Sequence, residues 1–216
     1  MTTNEHYNAL IPFSIIIPTL WKSNRIHQLL RDLISCEFVD EIILIDNAGK
    51  YFEYYEALDK VKLIQVKENI YVSPAWNLGV EIAKNEHIAI CNDDINFNPN
   101  IFKLFLVNEV EGIVGQSSDN YNKPYDEIPR LSKLQGTRPW GWGSLILTQK
   151  KYWIPIPEQL KVWYNDDFII QINPCSKWVL HNFTILTEMS TTSDLVEFNP
   201  IKENDRIEWE KINNMK

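Results

Sequence analysis

Ile88-Ala89-Ile90-Cys91-Asn92-Asp93-Asp94-Ile95-Asn96-Phe97-Asn98-Pro99 is an apolar, strand-like run that stops on adjacent carboxylates and then meets a proline turn. Side-by-side carboxylates repel, so such a cluster is eased by a cation, and oxygen ligands suit Mg²⁺ or Mn²⁺. The same residues also suit an acidic turn that starts the next helix. What surrounds this strand end decides between the two readings.

Upstream, short β-rich runs alternate with helical stretches. Phe13 to Ile17, Glu41 to Ile45, Val61 to Val66 and His87 to Cys91 read as strands. Asn24 to Ile34 reads as a helix with Ile26, Leu29, Leu30 and Leu33 on one face, capped by Ser23 or Asn24. A second helix runs from Ser73 to Lys84, with Ser73 at its start and Pro74 at its first position. The order is βαβαβαβ, and the continuously apolar strands suit a mostly parallel sheet covered by helices on both faces. Ligands of such sheets bind beyond the carboxyl ends of the strands. Polar residues stand at each of those ends: Pro18-Thr19, Asp46-Asn47, Asn69 and Asn92-Asp93-Asp94. There is no GxGxxG after the first strand and no GxxxxGK[ST], so dinucleotide-fold and P-loop chemistry lack their signatures.

At 216 residues the chain can bury one full α/β core with a C-terminal elaboration, read here as residues 1–110 and 111–216 of a single domain. A hydrophobic fraction of 44% is ordinary for a soluble protein, and no apolar run is long enough to span a bilayer. The start Met1-Thr2-Thr3-Asn4-Glu5-His6 lacks the features of a secretory signal, so a cytoplasmic location is expected. Cys36, Cys91 and Cys175 have neither disulfide-framework nor zinc spacing. The net charge of −8 gives no global pull towards phosphate backbones, which disfavours nucleic acid as a partner.

In the second half, Pro99 to Asn108 suits a helix, Ile113-Val114-Gly115 a short strand, and Gln116 to Pro139 a long loop. Trp140-Gly141-Trp142-Gly143-Ser144 then runs into the strand Leu145-Ile146-Leu147; its glycines permit close backbone approach to a ligand, or a tight Trp-packed bend. Asn165-Asp166-Asp167 is a second carboxylate pair at a helix start. Trp178 to His181 suits a late strand, and Asn199 to Lys216 a polar helix.

Taken together these segments resemble the inverting, nucleotide-sugar-dependent glycosyltransferases of the family 2-like GT-A fold. The resemblance is carried by Ser14 to Thr19, Ile42 to Asn47, Glu68-Asn69 through Trp76-Asn77-Leu78-Gly79 to Ala83, and Asn92-Asp93-Asp94, roughly the first hundred residues. It implies a Rossmann-type GT-A sheet and a donor site of Thr19, Asp46, Asn69, Asn77, Asn92 and Asp93, with UDP-sugar favoured over TDP- or GDP-sugar. Thr19 and Asp46 would hold the base. Asn92-Asp93-Asp94 falls where the family carries its DxD motif; with Asn92 at the first position, Asp94 becomes the leading ligand for Mn²⁺ or Mg²⁺, helped by Asp93. Asp166 falls at the general base and Asp167 is its fallback, although Asn165 replaces the family's Glu. Trp140, Trp142 and Gly143 would bind a saccharide or other hydroxyl acceptor. His181 is a candidate metal ligand, near a polar cluster Ser190-Thr191-Thr192. Two alternatives stay open: glycosylation of a hydroxylated base in nucleic acid, and a nucleotide-sugar-binding protein without turnover.

Overall fold

A computed structural model describes residues 11–50, 55, 57–188 and 195–214. The N-terminal half forms β1 (Phe13–Thr19), α1 (Arg25–Ser35), β2 (Val39–Asp46), β3 (Val61–Gln65), α2 (Val72–Ile82) and β4 (His87–Cys91). After it come β5 (Ile95–Phe97), α3 (Ile101–Val107), β6 (Ile113–Gln116), β7 (Arg130–Lys133), β8 (Leu145–Gln149), α4 (Asn165–Gln171), β9 (Lys177–His181), β10 (Ile185–Thr187) and α5 (Asn199–Asn214).

Eight strands make one sheet in the order β3-β2-β1-β4-β8-β6-β9-β7, with β1 to β4 all parallel and β8 antiparallel to β4. The two-residue period of a strand divides the side chains between two cores. Ile15, Ile17, Ile42 and Leu44 face the layer holding Ile26, Leu29, Leu30 and Leu33 of α1. Ile16, Ile43 and Ile45 face the layer holding Ala75, Trp76 and Val80 of α2. Burial on both faces explains why these strands read as unbroken apolar runs.

In register, Thr19 lies opposite Asp46, and Asp46 opposite Gln65, so the strand ends form one polar edge. The expected α/β layout, with a mostly parallel sheet between helix layers, is the one observed.

Three short strands were not read from the sequence. β7 interrupts the expected loop 116–139 and pairs antiparallel with β9. β5 and β10 form a small separate ribbon, Ile185 opposite Phe97 and Thr187 opposite Ile95. That register places Glu188, the residue after β10, beside Asp94, the residue before β5.

The second helix also begins differently from the expected Ser73 cap. Its first residue is Val72, preceded by Tyr71 in the left-handed region (φ 67°). Ser73 is wholly buried and its hydroxyl has no partner among the described residues. At α1 the expected cap holds through Ser23, whose Oγ accepts from the Arg25 N–H at 3.2 Å. Among the described residues no helix is long and apolar enough to cross a membrane.

Candidate active site

The polar edge opens into a cavity of about 430 Å³. One side is built by strand ends of the first half: Pro18 and Thr19, Asn47, Asn69 and Tyr71, and Asn92-Asp93-Asp94. The other side comes from Arg138, Trp140, Gly141, Gly143 and Ser144, the run Val162 to Asp166, and Phe198. Of the residues singled out in the sequence, Thr19, Asn69, Asn92, Asp93, Asp94, Trp140, Gly143 and Asp166 therefore share one cavity.

On the first side, the Thr19 hydroxyl donates to Asp93 Oδ2 at 2.6 Å while its oxygen accepts from the Trp21 N–H at 2.8 Å. Burial, joined by the neighbouring Asp94 charge and opposed by the Thr19 hydrogen bond, pushes the Asp93 carboxyl up to about 6. Asp94 is 7% exposed, and its Oδ1 has no hydrogen-bond partner among the described residues. Burial raises its pKa, the Glu188 charge adds to that, and Arg25 opposes it. Glu188 is itself held by Ser23 Oγ at 3.3 Å and by Arg25 Nε at 3.7 Å. Asp46 lies beneath the cavity, wholly buried. Its Oδ1 accepts from Trp21 Nε1 at 2.8 Å and from the Ala48 N–H at 3.0 Å, and its Oδ2 has no partner among the described residues.

A divalent cation suits this corner. Asp94 offers a buried, unpartnered oxygen, and both carboxylates are poorly stabilised as anions without added positive charge. Among the described residues no three His, Cys, Asp or Glu side chains gather into a complete cage. Such a donor set matches Mg²⁺ or Mn²⁺ resting on one or two carboxylates and completing its shell with phosphate oxygens and water.

On the second side, Asp166 is the first acidic residue of α4, which is entered through Tyr164 in the left-handed region (φ 63°). Asn165 fixes the entry: its Oδ1 accepts from the Asp166 N–H at 2.8 Å and its Nδ2 donates to the Val162 carbonyl at 3.1 Å. Arg138 grips Asp167 with two parallel bonds, Nε to Oδ1 at 3.1 Å and Nη2 to Oδ2 at 3.0 Å, and reaches Asp166 Oδ2 with Nη1 at 3.5 Å. Burial raises the Asp166 pKa, Arg138 pulls against it, and the Asp167 charge adds to the rise. A buried carboxylate aimed into the cavity can accept a proton from a bound hydroxyl. Asp167, tied up by Arg138 and absent from the cavity lining, is less free to do so.

Several expected site residues are placed elsewhere. Trp142 is wholly buried and donates its indole N–H to the Trp178 carbonyl at 3.1 Å, so it offers no face to an acceptor. Its role is the tight bend, and the exposed ring is Trp140, 58% accessible and resting edge-on against Tyr121. Asn77 bonds to the Ile156 carbonyl and N–H and to Trp153 Nε1, pinning the 153–156 segment to α2 rather than meeting the cavity. His181 is hydrogen-bonded to Ser132 Oγ at 2.8 Å and is not among the lining residues. The cluster Ser190-Thr191-Thr192 lies outside the described residues.

Arg138, Trp163, Tyr71 and Phe198 line the cavity but were not singled out. Six of the eight Trp residues fall in the second half of the chain, and that abundance is the one sequence feature that hints at further aromatic residues across from Trp140. Arg138 lies in the Gly/Pro-punctuated segment read as a loop, and nothing local marked it.

The family model for glycosyl transferase family 2 matches residues 14–172. No curated protein sequence matches the chain. Among solved structures it is similar to TarS of S. aureus, residues 1–349, in complex with UDP-GlcNAc: TM-score 0.65, 18% identity, 91% of this chain and 65% of that one. The UDP complex of the same protein gives a TM-score of 0.62 at 18% identity, covering 82% of this chain. The structure of TarS 1–349 without a named ligand gives 0.60 at 17% identity, and this chain spans 60% of its length.

Proposed function

The chain belongs to glycosyl transferase family 2, and from that premise we propose that it moves a sugar from a nucleoside diphosphate sugar, UDP-sugar foremost, to an acceptor hydroxyl with inversion. The observation that carries this reading is that Asp94, with its unpartnered oxygen, and Asp166, with its raised pKa, line the same cavity. Complexes of TarS with UDP and with UDP-GlcNAc support the choice of donor.

In this reading the nucleotide lies along the strand ends, near Thr19, Asn47 and Asn69. Asp46 stands below with one free carboxylate oxygen suited to an N–H of the base. Asp94, assisted by Asp93, would hold Mg²⁺ or Mn²⁺, which would supply positive charge to offset the negative charge of the leaving diphosphate. Asp166 takes the proton of the attacking hydroxyl. Arg138 opposes the rise in the Asp166 pKa that burial causes, and so favours the ionised form that a base needs. Trp140 gives the acceptor an apolar face on which a sugar ring can stack.

Inversion fits a carboxylate base that takes the hydroxyl proton on the side opposite the leaving group. A panel of UDP-, TDP- and GDP-sugars, each incubated with Mn²⁺ or Mg²⁺ and followed by mass spectrometry, tests the proposal. Release of one nucleoside diphosphate, lost in Asp166→Asn, is expected; a protein that binds UDP yet turns over no donor with any acceptor would be a binder instead.

A further inference from the structure

Asp205 lies in α5, beyond the stretch matched by the family model, in a helix that reads as a polar surface element. Yet its side chain is wholly buried. Its two oxygens accept three consecutive backbone N–H groups: Lys161 at 3.0 Å on Oδ1, and Val162 at 2.7 Å and Trp163 at 2.8 Å on Oδ2. Three charge-assisted bonds on one buried carboxylate form a strong local constraint, because hydrogen bonds to an ionised acceptor are stronger than those between neutral groups.

The constrained segment is pinned from its other edge as well. The Lys161 carbonyl accepts from the Val72 N–H at 2.9 Å and the Ser73 N–H at 3.1 Å, the first donors of α2. Immediately downstream, Tyr164 makes the left-handed turn and its ring stacks on Trp209 of α5, centroids 6.0 Å apart and planes 11° from parallel. Asp166 follows two residues later. The path from Asp205 to Asp166 is thus five residues of chain with little freedom: three N–H groups clamped, one φ > 0 residue stacked, and Asn165 bonded back to the Val162 carbonyl.

We propose that Asp205 is a positioning residue for the transfer reaction, fixing the 161–163 segment so that Asp166 faces the acceptor hydroxyl. It rests on the proposed function for its catalytic arm only. Asp205 does not line the cavity and touches no reacting atom. Thr19, Asn47 and Asp93, on the donor side of the cavity, belong to other strand ends, so the affinity for UDP is expected to change little when the clamp is lost.

The test is Asp205→Asn, which keeps the volume but replaces one accepting oxygen with an amide that faces backbone N–H groups. Three quantities are measured: UDP affinity and stoichiometry by calorimetry, kcat with the best donor, and amide hydrogen exchange over residues 160–168. The expected outcome is a UDP Kd within about threefold of the parent, full stoichiometry, a kcat lowered at least about tenfold, and faster exchange confined to that segment. Asp205→Glu, still able to accept from the same N–H groups, should recover part of the rate. If Asp205→Asn does not fold, Asp205→Glu carries the same measurements, with a smaller loss of kcat at unchanged UDP binding. An unchanged kcat, or a kcat and UDP stoichiometry that fall together, overturns the proposal. Should the parent protein turn over no donor, the proposed function fails. The exchange data still decide the clamp, since unchanged protection of Val162 and Trp163 overturns it.

Discussion

Gly143 stands so close to Asp166 that a Cβ on residue 143 would lie 2.9 Å from the Asp166 Cγ, nearer than real Cβ atoms come to a neighbour. The Gly143 N–H also contributes to holding the Asp166 carboxylate. The lack of a side chain at Gly143 therefore leaves room for the Asp166 carboxyl to approach this backbone. Gly143→Ala should push Asp166 out of place and lower kcat by about 100-fold, since small misplacements of a reacting group are costly. UDP affinity, measured by calorimetry, should stay within a few-fold. Retention of full activity would remove Asp166 from the reaction.

Asp94 makes a different prediction, because its free oxygen is the one suited to a cation. UDP should bind more tightly with Mn²⁺ than with EDTA, by about tenfold or more, as a cation bridging carboxylate and diphosphate would require. In Asp94→Asn that difference should disappear while metal-free binding persists. Binding indifferent to both metal and substitution would take the cation out of this corner.

How much of this could be read from the chain depended on whether the signal was local. Ile15, Ile16 and Ile17 announce a strand buried on both faces, and Asn92-Asp93-Asp94 announces a strand end, because both properties sit in neighbouring residues. Glu188 reaches Asp94 only through a pair of three-residue strands, too short to display a period. Arg138 meets Asp167 across 29 positions of sequence, a contact that no local pattern encodes. The alternation Trp140-Gly141-Trp142 marks a tight bend but cannot tell which indole is buried, and the buried one is Trp142. Asp205 looks like any acid on a polar helix until the 161–163 segment folds over it.

Arg138 offers a test through pH. The Asp166 pKa is raised by burial, and the adjacent guanidinium is what pulls it back. Removing that cation in Arg138→Gln should raise the pKa further, aided by an Asp167 charge that has lost its own partner. Asp166 must be ionised to act as a base, so the acid limb of the kcat profile should move to higher pH, by about one unit. Activity lost at neutral pH should return in part at pH 9. A limb that stays in place, or moves down, would show that the titrating base is not the carboxylate beside Arg138.

Trp140 is the exposed aromatic face of the cavity, held edge-on by Tyr121, whose hydroxyl is in turn bonded to Ser144 Oγ and the Gly141 carbonyl. Its loss in Trp140→Ala should raise KM for the acceptor by about tenfold, the scale of one aromatic stacking contact. The KM for the donor should hardly change. A donor effect larger than the acceptor effect would place the sugar donor, not the acceptor, against this ring.

Asp93 couples the donor corner to stability. Its folded-state pKa of about 6 lies above the usual carboxylate value of 3.8, so the folded protein holds this proton more tightly than the unfolded chain does. The resulting stabilisation is complete below pH 3.8 and is lost as pH rises to 6, above which the ionised, buried Asp93 is a standing cost. Asp93→Asn keeps an oxygen to accept from Thr19 and removes the charge. Without metal, the substitution should raise Tm at pH 8 by roughly 2 to 8 °C, corresponding to about 1–2 kcal/mol after allowance for partial exposure, and should change Tm little at pH 4. Mn²⁺ should narrow the gap at pH 8 by stabilising the parent protein alone, since a cation neutralises the same charge. Equal Tm values for parent and variant at pH 8 would mean that Asp93 is already relieved of its charge by a protein group, and that the corner has no need of a cation.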